Sequence, residues 1–305
     1  MLGGALGGLA ARVYTQYQRE ISDAYRRVLS GSHLFITDHG PQEYAITGNG
    51  PPVLMIHGAG GGYDQGLLIA SLLGDSFQSI CPSRFGYLRS SLPANASPKK
   101  QADVYAALLD ELNISKAAIF GFSAGGPSSL GFALRYPERC SALIMIAAVS
   151  HAFQLVPAKH HRIQKFIQSQ DFASWVATRL VRLKLLSPPN LPQNEKTAIS
   201  PAEVELMYRL LDISLPVSER YNGRMNDYAQ IKALEEFPLE HISVPTLVIH
   251  AEDDFTVPVE HAFYASQRIP DAELVILPSG GHVLLAQHDK VTAIVLKFLN
   301  QHVRK

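Results

Sequence analysis

The segment Gly121-Phe122-Ser123-Ala124-Gly125 lies between a continuously apolar run, Ala117–Phe120, and a stretch with the apolar spacing of a helix, Ser123–Tyr136. No other feature limits the fold as much. A buried strand that turns into a helix within so few residues leaves no room for side chains on either flank, hence a glycine at each end. Such a turn holds its serine in a strained backbone with the hydroxyl beyond the strand end. The helix start behind it brings unpaired N–H groups and a partial positive charge. The plainer reading is a glycine-rich turn with a serine cap, and the strand–turn–helix context weighs against it. Ser123 is the candidate nucleophile.

The surrounding pattern alternates short apolar strands with amphipathic helices, which predicts an α/β sheet with right-handed crossovers. Leu34–Thr37 and Tyr44–Thr47 flank the turn cluster Asp38–Pro41 and predict a hairpin. Val53–Ile56, Phe77–Cys81, Ala117–Phe120 and Ala142–Val149 read as strands, with Ser97 and Pro98 opening a helix. The rhythm stops at Ser150 and resumes with Thr246–His250, a helix near Val259–Arg268, the strand Glu273–Leu277 and a closing helix from about Lys290. Residues 150–242 between them read as helical, with segments His160–Leu186, Pro201–Ile213 and Ser218–Glu236 and a breaker at Ser187–Pro192. They form a cap inserted between two sheet strands. The expected organisation is a helical extension over residues 1–30, a first core part over 31–149, the cap over 150–242 and a second core part over 243–305.

Three further segments bear on chemistry. His57-Gly58-Ala59-Gly60-Gly61-Gly62 follows the strand Val53–Ile56. It fits neither a dinucleotide fingerprint, since Tyr63 stands where the third glycine belongs, nor a P-loop. It reads as an oxyanion loop with the Ala59 N–H as donor and Gly60 as a near alternative; the Ala124 N–H is the second donor. His282, in Pro278-Ser279-Gly280-Gly281-His282 after the last strand, is the candidate general base, because loops beyond the strand C-termini face the ligand crevice. Either Asp253 or Asp254, after the preceding strand, is placed to orient it, the other being solvated or capping the next helix. No H-E-x-x-H or paired-cysteine motif calls for a metal.

These motifs together resemble the α/β-hydrolase family from about Phe35 to the C-terminus, the cap matching only in general terms. The chain order Ser, Asp, His is that family's order. Its G-x-x-D-x-x-V-P pattern aligns with Ala251–Pro258, which selects Asp254, although Ala251 departs from the usual glycine. Its G-G-H pattern aligns with Gly280–His282, and Cys81–Ser90 resembles its P-S-R-x-G-Y segment, where Arg84 reads as structural. The resemblance implies a mostly parallel twisted sheet flanked by helices, an inserted helical cap and a Ser123–His282–Asp254 triad working without cofactor. Ser123 stands where epoxide hydrolases and haloalkane dehalogenases of this fold carry aspartate. The nearer types are capped serine hydrolases: carboxylesterases, proline-iminopeptidase-like enzymes, C–C bond hydrolases and cofactor-free perhydrolases. A carboxylic ester is the expected substrate. A non-catalytic small-molecule receptor of this fold is the alternative from another class. Within the cap, Arg162, Arg179, Arg182 and Arg224 are candidates to meet a substrate carboxylate, against the plainer reading of solvated helix charges. Phe166, Phe172 and Trp175 are candidates to line the pocket, against the plainer reading of core.

Composition narrows the partners. Lys plus Arg and Asp plus Glu both number 27, so the net charge is zero, without the basic excess of a nucleic-acid binder. That balance suits a small, largely uncharged acyl substrate. Two cysteines make no disulfide framework. The apolar start, Met1–Ala11, is about half the ~20 residues a membrane span needs and lacks a leading basic segment. It reads as a frayed or loosely docked helix continuing through Tyr25. The expected location is cytoplasmic, with peripheral membrane contact through residues 1–12 as the alternative.

Overall fold

The computed structural model describes residues 2–154, 166–185 and 199–303. Its centre is an eight-stranded sheet. The strands are β1 (His33–Thr37), β2 (Gly40–Thr47), β3 (Pro52–Ile56), β4 (Gln78–Pro82), β5 (Ala117–Phe122), β6 (Cys140–Ile146), β7 (Thr246–Ala251) and β8 (Glu273–Leu277). They lie in the order β1-β2-β4-β3-β5-β6-β7-β8. The β1–β2 and β2–β4 pairs are antiparallel and every later pair is parallel. The hairpin expected from the Asp38–Pro41 cluster forms, tighter than the cluster implied: Thr37 already pairs with Gly40.

Helices α2 (Tyr63–Ala70) and α9 (His288–His302) cover one face; α3 (Pro98–Glu111), α4 (Gly126–Arg135) and α8 (Glu260–Arg268) cover the other. The central strands are apolar throughout because both faces are covered. In β5, Ala118 and Phe120 pack toward α2 and α9, while Ala117 and Ile119 pack toward α3 and α4. Ser97 caps α3 by accepting from the Lys100 N–H, with Pro98 in the first turn. Helix α2 had no clear sequence signal, since its glycine and short length dilute the apolar period.

The N-terminal helix α1 (Leu2–Ser30) departs from the expectation of loose docking. Its second half is seated through Ile21, Ala24 and Val28, all buried. These positions recur at three- and four-residue spacing and make one face. Ile21 and Ala24 meet Trp175, Leu215 and Val217. Trp175 therefore serves a local core between α1 and helix α5 (Asp171–Leu185). Phe172 and Phe166 are 46% and 62% exposed, so neither is packed as core.

In the cap, α6 (Pro201–Ile213) matches its expected span and opens with a capping box between Ser200 and Glu203. The expected helix over 218–236 is instead a short turn, Ser218–Arg220, followed by α7 (Tyr221–Lys232). The chain leaves the helix there and buries Phe237 and Leu239 in the core. Helical residues 166–169 precede α5, with a break at Gln170. Arg162, the first part of the His160–Leu186 helix and the breaker Ser187–Pro192 lie outside the described residues. No helix among the described residues is long and apolar enough to cross a membrane.

Candidate active site

Three loops at the C-terminal edge of the parallel strands bring the sequence-predicted residues together. Ser123 directly follows β5 with φ +53°, a left-handed conformation that costs a non-glycine residue on the order of 1–3 kcal/mol. The turn is held shut around it. The Val149 N–H donates to the Ser123 carbonyl at 3.0 Å. A Cβ on Gly121 would fall 2.3 Å from Ser129 Oγ, and one on Gly125 would fall 2.7 Å from the Ile56 carbonyl oxygen. Both glycines are therefore steric requirements of the turn.

Ser123 Oγ lies 2.8 Å from His282 Nε2, and His282 Nδ1 lies 2.8 Å from Asp254 Oδ2. An ionised carboxylate only accepts, so Nδ1 carries the proton and Nε2 is left to accept from the serine hydroxyl. Asp254 is itself fully engaged. Its Oδ1 accepts from the Thr256 and Val257 N–H groups at 2.8 and 3.0 Å. His250 Nε2 lies 3.2 Å from Oδ2 and 2.8 Å from the Val257 carbonyl. Burial pushes this carboxyl up. The hydrogen bonds from His250, His282 and the Val257 N–H outweigh burial and hold it well below the usual carboxylate range. The Phe122 ring lies 5.3 Å from the His282 ring.

Asp253 has a different role from the one expected. It neither caps a helix nor lies free in solvent. Its carboxylate accepts from the Gly281 N–H at 2.8 Å and the Gly280 N–H at 3.4 Å, which anchors the loop that carries His282. Adjacent carboxylates thus hold the histidine from two sides, one at its ring and one at its backbone.

The loop 57–62 runs past the serine; a Cβ on Gly58 would meet Ser123 Cβ at 2.9 Å. Its hydrogen bonds separate the two donors left open by sequence. Gly58 N–H donates to Gln65 Oε1, Gly60 N–H to the Tyr87 hydroxyl and Gly61 N–H to the Gly58 carbonyl. Among the described residues, the N–H groups of Ala59 and Ala124 carry no hydrogen bond. Gly60 is thereby removed as a free donor. His57 Nε2 accepts from the Arg84 N–H at 2.9 Å, and its Nδ1 donates to the Gly58 carbonyl. Burial and the nearby Arg84 guanidinium push this imidazole far down, so it stays neutral.

Behind the loop lies a buried polar network that ties it to the cap. Arg84 forms a two-pronged ion pair with Asp227 of α7 at 2.6 and 2.7 Å and donates to the His57 carbonyl. Tyr87 donates to Asp227 at 2.5 Å while accepting from Gly60. Arg220, with no exposed surface, binds Asp64 at 3.0 and 2.7 Å and the Gly61 carbonyl at 2.6 Å. Arg84 is structural, as expected. Arg220 and Asp227 carry no sequence signal, because a buried charge in a helical segment looks like a solvated one; His250 lies inside the apolar run of β7 and gives no signal of its own. Arg179 lies over the Trp175 ring and pairs with Glu20 of α1; Arg182 pairs with Asp212. Neither is available to a substrate carboxylate. Arg224 has no hydrogen-bond or ion-pair partner among the described residues.

The model of the alpha/beta hydrolase fold family matches residues 51–289. The chain belongs to that family. It is a hydrolase. An uncharacterized hydrolase, YcgS, of Bacillus subtilis is 28% identical over 261 residues, covering 81% of this chain and 90% of that protein. Lipase 3 of a Moraxella species is 25% identical over 309 residues, covering 95% of this chain and 89% of that one. A solved alpha/beta hydrolase fold protein from Nakamurella multipartita superposes with a TM-score of 0.71 at 29% identity, over 88% of this chain and 99% of that one.

Proposed function

We propose that the protein hydrolyses a small carboxylic ester through Ser123, His282 and Asp254. The observation that carries this reading is the unbroken hydrogen-bonded line from Ser123 Oγ through both nitrogens of His282 to Asp254. As Ser123 Oγ attacks the ester carbonyl carbon, His282 Nε2 takes its proton, and Asp254 stabilises the resulting imidazolium. The carbonyl oxygen, now an oxyanion, rests on the Ala59 and Ala124 N–H groups, each worth about 3 kcal/mol when preorganised. The tetrahedral species collapses, the bond to the alcohol oxygen breaks, and His282 returns the proton to it. Water then adds to the acyl enzyme by the same route and releases the acid.

An apolar cavity of about 80 Å³ lies beside Phe122 and Val283, the chain neighbours of Ser123 and His282. Leu206 and Leu210 of α6 close it from the cap side. It suits the apolar part of an acyl compound. The test is hydrolysis of p-nitrophenyl esters of increasing chain length by the wild type and by Ser123→Ala. The variant is expected to lose about 10⁶-fold in kcat while keeping the wild-type thermal melt. Retention of most of the activity in Ser123→Ala would overturn the reading.

A further inference from the structure

The oxyanion loop touches the serine at one end and a cation at the other. At Gly58 the loop backbone lies against Ser123; at Gly60 it lies against Arg224 of α7. A Cβ on Gly60 would fall 2.2 Å from one Nη of Arg224 and 3.0 Å from its Cζ. The guanidinium therefore rests directly on the loop backbone, in space that only a glycine leaves open. Gly58 and Gly60 are two Cα steps of about 3.8 Å apart, so the cation and the serine flank one short peptide segment. That segment carries the free Ala59 N–H.

The other interior arginines of the site are spoken for. Arg84 is bound by Asp227 and Arg220 by Asp64, each through both arms. Asp227 stands three residues from Arg224 on the same helix, where it would be the natural partner. Its two oxygens are taken by Arg84 and Tyr87 instead. Arg224 is half-buried and has no carboxylate partner among the described residues. A planar guanidinium so placed matches a carboxylate with two parallel hydrogen bonds. The zero net charge of the chain does not bear on this, because a single cation at the site acts over a few ångströms.

We propose that Arg224 binds a carboxylate of the substrate, so that the physiological ester carries an anionic group close to its scissile carbonyl. This rests on the ester-hydrolase reading above and specifies its substrate class. The apolar cavity under α6 would hold the remainder of the molecule.

The test compares two p-nitrophenyl esters of matched size, the mono-ester of succinate and the uncharged 4-methylpentanoate. Wild type is expected to show a higher kcat/KM for the succinate ester. In Arg224→Gln the ratio of the two kcat/KM values should fall by roughly 10- to 100-fold, the range for one charged hydrogen-bonded contact. Arg224→Lys should keep an intermediate ratio. A wild-type ratio at or below one overturns the proposal, and so does a ratio unchanged in Arg224→Gln. Should Arg224→Gln not fold, the wild-type ratio and Arg224→Lys still decide. Failure of the ester-hydrolase reading would look different: wild type would hydrolyse neither ester, or Ser123→Ala would hydrolyse both.

Discussion

The floor and the roof of the site are held by different means. Every floor group is fixed by short-range geometry: a strained turn at Ser123, four contacts on the Asp254 carboxylate, and Asp253 beneath the histidine loop. The roof itself divides in two. The segment around Arg220 and α7 is joined to the floor by two buried, two-pronged ion pairs. Helix α5 instead leans on α1 through Trp175, Tyr17 and a partly exposed pair between Arg179 and Glu20. Exposed pairs of that kind contribute at most about 1 kcal/mol, whereas losing one partner of a buried pair costs about 3–5 kcal/mol. The part of the cap that holds the loop 57–62 belongs mechanically to the core. The part that rests on α1 does not.

The largest effect expected from breaking the floor, beyond loss of the serine, comes from its acid. Asp254→Asn should lower kcat by about 10⁴-fold, because the imidazole is then left in the wrong tautomer. Asp253→Asn should cost far less, since an amide oxygen still accepts from the Gly281 N–H. Steady-state kinetics on one ester separate the two, and a larger loss at Asp253 would move the acid by one position.

Removing a staple comes next. Asp227→Ala leaves Arg84 buried without its partner and frees the Tyr87 hydroxyl. Chemical denaturation should show a loss of about 3–5 kcal/mol, with a fall in kcat as the loop at Gly60 loosens. A stability loss below about 1 kcal/mol would mean that α7 is not anchored as described.

The smallest effect concerns the point where the cap leaves the sheet. His261 is buried against His151, their rings 3.9 Å apart, and accepts from the Ser150 N–H. Burial, then the neighbouring His151 and His250, push its imidazole down from 6.5 to about 3. Above pH 6.5 neither folded nor unfolded chain binds this proton. Between 6.5 and 3 only the unfolded chain does, so stability falls with falling pH by up to about 1.4 kcal/mol per pH unit from this group. The neutral, buried His57 adds to the same slope. Urea midpoints measured across that range should decline in wild type and decline less steeply in His261→Gln. Equal slopes would remove His261 as a cause.

The same contrast governs what could be read from the sequence. Floor residues announce themselves because steric demands leave few choices: glycines at 121 and 125 around the serine, glycines at 280 and 281 before the histidine. The strands Glu273–Leu277 and Ala117–Phe120 are legible from apolar runs bounded by turns, although β5 runs on to Phe122. The roof offered only helical periodicity, and periodicity does not say which charge is buried. Arg220 and Arg182 look alike in sequence; one is fully buried on Asp64 and the other lies at the surface beside Asp212. Asp253 and Asp254 are adjacent carboxylates, and only the backbone of the following turn decides which one faces the imidazole. The docking of α1 was hidden for another reason. Its partners, Trp175, Leu215 and Val217, stand far away in the sequence.

The central claim is that Ser123 is the nucleophile, activated by His282 on a floor held by Asp254. The most direct measurement is reaction of the intact protein with a fluorophosphonate, followed by peptide mass spectrometry. A single adduct on Ser123 Oγ is expected in the wild type, strongly slowed in His282→Ala and missing in Ser123→Ala. Labelling at another residue, or labelling undiminished in Ser123→Ala, would contradict it.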